Sequence, residues 1–287
     1  MEFKNPKIPE GINVSDEHPL KGLAQLALTV IVVVAIIMVV LHYSVQYLVR
    51  YIPFEYEVKV SESIDFFQAS EELVSPEALD KQAELQALAD ELSVLMGLPE
   101  GMTITVHYSN ENVVNAFATL GGHIFMYQGL IDQIDSEQAL SMVMAHEIAH
   151  IKLRHPISSL GEGVTLALLG VLITGTTGSG AGESLISSST NLGLMKFSRD
   201  QEQEADLLAA KVIQSKYGNI LGAKSLFNTF QELYGSGSDV HGLFQSHPAS
   251  DKRWQELLDK TEALAWSIDG ELTPVSASLL KLSEEAP

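Results

Sequence analysis

The sequence predicts an α+β fold that is mainly α-helical, with a small β-sheet, preceded by one N-terminal transmembrane helix. Three observations carry that reading. An uncharged apolar run near the N-terminus is long enough to cross a bilayer, most of the chain beyond it falls into capped segments with helical apolar spacing, and two short runs have strand composition. The 287 residues suffice for a core that needs no staples. Their 17 Lys+Arg against 37 Asp+Glu, a formal net charge of −20, has the wrong sign for binding phosphate backbones, so no nucleic-acid partner is expected. The chain has no cysteine, which excludes disulfide frameworks, thiolate metal ligands and cysteine nucleophiles.

Residues 1–22 form a polar N-terminal segment and residues 23–42 the transmembrane helix. Leu23 to Leu41 carries no charge and is broken only by Gln25 and Thr29. At helical rise it spans roughly 28 Å, one hydrocarbon core. Lys21 before it and Tyr43, Tyr47, Arg50 and Tyr51 after it suit the two interfaces. A cleaved signal peptide would need a short basic leader and a small-residue cleavage site. The leader here carries Glu2, Glu10, Asp16 and Glu17, and no such site follows Leu41. Lys4, Lys7 and Lys21 outnumber Arg50 and Lys59 across the span, so the expected topology is single-pass, with the N-terminal segment cytoplasmic and the remainder outside.

Residues 43–74 read as a connector, extended from Tyr51 to Val74, and residues 75–287 as one globular domain. Ser75-Pro76-Glu77 supplies an N-cap, a proline at the first helical position and an early acid for a helix to about Met96, stopped by Gly97-Leu98-Pro99. The strand-like runs are Met102 to Tyr108 and Ile124 to Tyr127. Asp135 and Ser136 open a long helix carrying Leu140, Val143, Met144, Ile148 and Ile151, with its end at Pro156. The apolar run Val164 to Thr174 is about half a bilayer span. It reads as a core helix leading into a Gly/Ser/Thr-rich loop, or as an element resting on the membrane around residues 163–175, rather than as a second span. Further helices are expected from Ser198 to Lys216, Asn219 to Tyr234 and Ser250 to Trp266, with Gly235 to Ser238 as a flexible joint.

The chemistry sits on two of these helices. His146-Glu147-Ile148-Ala149-His150 places two imidazoles four residues apart, on one face of a helix, where both can reach a single metal ion. Glu147, one step round, is placed to reach a water activated there rather than the metal. A hydrolytic metal site needs a third protein ligand and an open position. A metzincin continuation fails, because Leu153 and Pro156 stand where its Gly and His would be. His155 is one position short of that spacing and would project off the helix end. Glu202 and Asp206, four apart on the helix that Ser198 opens, offer a carboxylate ligand and a second carboxylate that could hold a ligating imidazole through its other N–H. Acids also favour a first helical turn through the macrodipole alone.

AHEIAHIKLRHP and SRDQEQEAD, with NAFATLGGHIFMYQGLI before them and SHPASDKR after, resemble the HtpX and CAAX-prenyl-protease type I family of gluzincin zinc metallopeptidases over roughly Pro76 to Leu258. The similarity is greatest to its single-span or periplasmic quality-control members. It implies a zincin-like metallopeptidase domain over residues 75–287 and one Zn2+ per chain. The implied ligands are His146, His150 and Glu202, with Glu147 as general base and Asp206 behind the ligands; Glu204 is the alternative to Glu202. It also implies that an edge strand lines the cleft and that Asn115, Ala116, Phe117, Gly122, His123 and Ile124 bind a polypeptide substrate as an added strand. His247, Pro248 and Arg253 would lie near the metal, Arg253 on the substrate. His247 would stabilise an oxyanion or occupy the fourth metal position in a latent state, and His241 has a weaker claim to that place.

The function so implied is a membrane-anchored zinc endopeptidase that hydrolyses unfolded or misassembled proteins, in the bacterial inner membrane with its catalytic domain in the periplasm. A membrane-tethered, chaperone-like binding module is the rival. A prenyl-CAAX protease would need a multi-helix membrane chamber, against one convincing span here. Between Glu55 and Glu147 there are 17 acids against Lys59 and Lys81, which reads as a solvated acidic face or as a cleft rim favouring basic segments. The sequence names no protein partner.

Overall fold

A computed structural model describes residues 19–48, 51–63, 75–161, 197–235, 247 and 251–280. The stretch 163–175, the joint at 236–238, His241 and Pro248 lie outside the described residues. The chain divides into two units, Met1–Ser44 and Val45–Pro287. The first holds most of helix α1 (Pro19–Leu48), longer at both ends than the expected 23–42. Its 22-residue stretch Leu20–Leu41 has a mean hydropathy of 3.0 and none of it is buried. A helix apolar on all sides with no protein over it is satisfied by hydrocarbon. It is the one stretch among the described residues long and apolar enough to cross a membrane. Thr29, polar within it, returns its hydroxyl to the Gln25 carbonyl at 2.8 Å, the usual way a helix hides that group from lipid.

In the second unit the expected extended connector is corrected. Residues Phe54–Ser63 form helix α2, with Glu55 and Glu57 in a first turn whose unpaired N–H groups favour acids. Glu57 and Ser61 are buried, and the helix packs on a 3-10 turn at Leu120–Gly122. Gly121 there has φ +75, and a Cβ on it would meet Ser61 Oγ at 2.3 Å, so only glycine admits this approach. Its N–H donates to Glu57, which also accepts from Arg154 Nε, while Arg154 Nη2 donates to the Ile52 carbonyl at 2.9 Å. Burial raises the Glu57 carboxyl above its ordinary range, and the Arg154 charge offsets this only in part.

Helix α3 (Pro76–Met96) forms as expected, capped by Ser75 and closed by Gly97 in the left-handed region. Strands β1 (Thr105–Ser109), β2 (Ala116–Ala118) and β3 (His123–Tyr127) form a mixed sheet of order β1-β3-β2, β1 parallel to β3 and β2 antiparallel to it. One face carries Ile124 and Met126 into the core. The other carries a row of stacked rings, His107 on Phe125 at 4.7 Å and Phe125 on Phe117 at 4.9 Å between centroids. After the short α4 (Gln128–Ile131) comes α5 (Glu137–Lys152), capped by the Ser136 hydroxyl.

Every residue of α5 from Gln138 to Ile151 is buried, which makes it the central helix. It packs against α3, β2, α6 (Arg199–Tyr217) and α7 (Leu221–Gly235); α8 (Asp251–Ala263) lies on α6. Residues 270–280, which have no sequence signal, strap the start of α5. The Thr273 carbonyl accepts from the otherwise orphaned Glu137 N–H at 2.7 Å, Gln138 bonds the Glu271 carbonyl and the Thr273 N–H, and Leu279 and Leu280 carbonyls accept from Gln128 and from the buried Lys81. At its other end α5 stops at Lys152, and residues 155–161 are helical again. Pro156 therefore sits in the opening turn of that next helical segment, where its missing N–H does no harm, and the expectation that it ends α5 is corrected by a few residues.

Arg154, between these helices, is held at φ +64, in a place where glycine is usual. That costs about 1 kcal/mol, offset by its pairing with Glu57. Arg154→Ala is expected to lower the unfolding free energy by about 3 kcal/mol, because Glu57 is left buried and unpaired. Arg154→Gly should lose less, since glycine relieves the backbone. Urea unfolding of both variants checks this, and a wild-type midpoint for Arg154→Ala would count against it.

A pH dependence follows from the sheet. His107 Nε2 lies 3.0 Å from His123 Nδ1. Burial, and the second ring beside it, push His107 down to about 4, and burial also lowers His123. Both are neutral when folded at pH 7, whereas unfolded histidine protonates near 6.5. Their contribution is complete above that value and fades as pH falls toward about 4. His107→Gln should show a smaller loss of urea midpoint between pH 7 and pH 5 than wild type.

Candidate metal centre

Helices α5 and α6 lie side by side, and their facing positions carry the predicted residues. Ser198 and Gln201 form a complete capping box that starts α6, so Glu202 and Asp206 emerge from its first turns, one turn apart and both buried. His146, His150, Glu202 and His247 each offer a donor atom, and these lie within 4.8 Å of one another. His146 Nε2 is 3.0 Å from His150 Nε2 and 3.6 Å from Glu202 Oε2; His150 Nε2 is 3.4 Å from Glu202 Oε1. Corners of a tetrahedron with bonds of about 2.0–2.1 Å lie about 3.3 Å apart. His247 Nδ1, 3.3 Å from His146 Nε2 and 3.0 Å from Glu202 Oε1, stands at a fourth corner.

The surroundings orient these donors. Asp206 Oδ1 lies 3.0 Å from His146 Nδ1, so that nitrogen donates to it and Nε2 is turned toward the cluster, where a metal would replace any proton it carries. Arg253 grips Asp206 with Nε at 2.8 Å and Nη2 at 2.7 Å, and meets Glu202 Oε2 with Nη1 at 2.7 Å. Phe197, just ahead of the α6 cap, stacks on His150 at 4.0 Å and 20°. Neither this ring nor the carboxylate grip of Arg253 was read from the sequence; the late position of Arg253 was the one available signal.

The buried acids favour positive charge at the cluster. Burial disfavours a charged His146, but the hydrogen bonds and charges of Asp206 and Glu202 outweigh it and push the imidazole up to about 10. Burial pushes His150 well below its usual range, and His155 down to about 4. Burial also opposes ionised acids here. Even so, His247 and the hydrogen bonds of His146 and His150 hold Glu202 well below the usual carboxylate range, and Arg253 holds Asp206 at about 2. Three buried atoms at the cluster lack a hydrogen bond among the described residues: Glu147 Oε2, Glu202 Oε2, whose ion pair with Arg253 is not so aligned, and His247 Nε2. Two imidazole nitrogens 3.0 Å apart, among ionised acids that otherwise hold a proton on His146 and buried polar atoms without hydrogen bonds, fit a divalent metal of the kind His and carboxylate ligands hold.

Glu147 is on the same helix with Oε1 3.5 Å from His247 Nε2, beside the cluster and outside its donor set. His155 and Glu204, the alternative ligands, are not among the cluster donors. The substrate contacts divide. Asn115, Ala116 and Phe117 lie at or on β2, the sheet edge that packs on α5. Gly122, His123 and Ile124 do not: Gly122 is in the 3-10 turn, and His123 and Ile124 are in β3, the middle strand, paired on both sides. Its main-chain groups are already used, so the expected added strand cannot pair there. Arg253 turns three of its nitrogens to Asp206 and Glu202. A pocket adjoins His146, Glu147 and His247, walled by Met142, Val143, Leu226, Phe227 and Phe230.

Residues 79–261 match peptidase family M48. The chain belongs to that family. Among curated M48-like relatives it is 29% identical to the metalloprotease YcaL of Escherichia coli over 154 residues, 51% of this chain and 58% of that one. It is 32% identical to the beta-barrel assembly-enhancing protease of Yersinia pestis over 167 residues, 54% of this chain and 34% of that one. It is 26% identical to the mitochondrial metalloendopeptidase OMA1 of Schizosaccharomyces pombe over 153 residues, 53% of this chain and 45% of that one. The chain thus spans between a third and three fifths of these relatives. The M48 match begins after α2, although α2 packs on the same domain.

Proposed function

We propose that this M48 protein is a membrane-anchored zinc endopeptidase whose ligands are His146, His150 and Glu202 and whose general base is Glu147. The observation that carries this is the convergence of those buried donors, beside Glu147 Oε2 and His247 Nε2, which lack hydrogen bonds among the described residues. Zinc held there would activate a water and polarise the scissile carbonyl. Glu147 takes the proton of the attacking water and returns it to the leaving amine. Asp206 and Arg253 keep His146 and Glu202 aimed throughout. The edge strand β2 offers main-chain groups to an extended substrate, and the apolar pocket walled by Phe227 and Phe230 accepts a bulky apolar side chain beside the scissile bond.

His247 stands where a substrate or water must enter, so the arrangement fits a resting state from which His247 withdraws, then free to support the oxyanion. The helix α1 supports membrane attachment, and the lysine bias supports a catalytic unit on the periplasmic side of a bacterial inner membrane. Relatives named for beta-barrel assembly support misassembled polypeptides as the substrate class. A tethered binding module without turnover is disfavoured by the complete donor set.

Glu147→Gln should retain about one zinc per chain and lose cleavage of an unfolded protein such as casein by a factor of about 100 or more. Glu202→Gln should lose both zinc and cleavage. Metal analysis and a casein assay on the purified full-length variants check the pair; parental cleavage by Glu147→Gln, or full zinc in Glu202→Gln, would contradict the assignment.

A further inference from the structure

The two ligand histidines are backed differently. His146 leans on Asp206, a buried acid locked by Arg253. His150 leans on another imidazole: its Nδ1 is 2.9 Å from His155 Nδ1, with both side chains buried. His155 Nε2 in turn faces Glu204 Oε2 at 3.5 Å, on a side chain that is 65% exposed.

A pair of Nδ1 atoms at that distance shares one proton, and its position decides what His150 can do. If His155 donated, neutral His150 would carry its proton on Nε2, pointing into the cluster, and could not bind a metal. If His155 accepts, its own proton is on Nε2, facing the Glu204 carboxylate, and His150 Nδ1–H leaves the Nε2 lone pair toward His146 and Glu202. Glu204 favours the second arrangement because only an Nε2–H is attracted to it. The Phe197 ring stacked on His150 fixes the plane in which this choice is made.

We propose that Glu204, His155 and His150 form a relay that selects the metal-binding tautomer of His150, with His155 and Glu204 as positioning residues. The proposal rests on the zinc reading above. It turns two acceptable-looking ligands of the sequence into the support of a third.

The test is zinc affinity of the full-length protein in detergent, by competition with a chelator of known affinity. His155→Phe keeps the ring volume and removes the acceptor; it should weaken zinc binding by about 10- to 100-fold. His155→Gln, whose carbonyl can accept from His150, should recover part of that loss. Glu204→Ala, on an exposed side chain that the fold does not need, should weaken binding by less than His155→Phe and add nothing to it in the double variant. In the zinc-loaded wild type, nitrogen NMR of labelled histidine should show His150 protonated at Nδ1 and His155 at Nε2. Wild-type affinity in a folded His155→Phe, an equal Glu204→Ala effect with and without His155, or His155 protonated at Nδ1 would each overturn the relay while leaving the zinc reading intact. A wild-type chain that takes up no zinc would overturn both.

Discussion

The constraint on which the rest of the structure depends is the burial of like and unlike charges at one point between α5 and α6. Two imidazole nitrogens 3.0 Å apart, two acids and a guanidinium in a dry core are tolerable only if each group is aimed and the site can take a cation. Each surrounding element serves that condition. The Ser198 capping box starts α6 at the phase that turns Glu202 and Asp206 inward, α8 brings Arg253 back over both acids, and the C-terminal strap holds the first turn of α5. At the opposite end of α5, Arg154 binds Glu57 of α2. The helix that carries both histidines is thus fixed at each end by chain segments that lie far from it in sequence.

The site was legible in the sequence because its spacing is local. His146 and His150, and likewise Glu202 and Asp206, share a helical face by virtue of a four-residue interval, and that geometry is independent of the rest of the fold. Helix limits were legible for the same reason, since Ser75, Gly97, Ser136 and Ser198 cap through bonds to residues three or four away. What was not legible is tertiary. Glu57 sits in a polar stretch with no strong periodicity, and its contacts with Arg154 and Gly121, like the packing of Phe54 on the core, appear only in the folded chain. Arg253 reads as a generic late cation until its fork is seen on Asp206. Strand order is similarly invisible: composition marks Ile124 to Tyr127 as a strand, but not as the central one, and the expectation that Gly122, His123 and Ile124 line an edge rests on the resemblance alone.

Family membership and site geometry agree while answering different questions. Peptidase family M48 covers residues 79–261, which include both helices of the donor cluster and most of α8 but neither α1 nor α2. Glu57 on α2 and the strap around Thr273 and Leu279 support α5 from outside that span. They couple the ends of α5 to α2 and to the C-terminal region, so a fragment trimmed to the family limits would lack the contacts that hold α5 at both ends.

In the proposed centre one metal ion is held by donors from α5 and α6 with His247 at the fourth corner. Anomalous diffraction at the zinc edge from crystals of the zinc-loaded protein tests it directly. The account predicts one peak per chain, about 2.0–2.2 Å from His146 Nε2, His150 Nε2 and a Glu202 oxygen, with His247 Nδ1 as the fourth neighbour in the resting state. A peak ligated by His155 or Glu204, or none in this pocket, would contradict it.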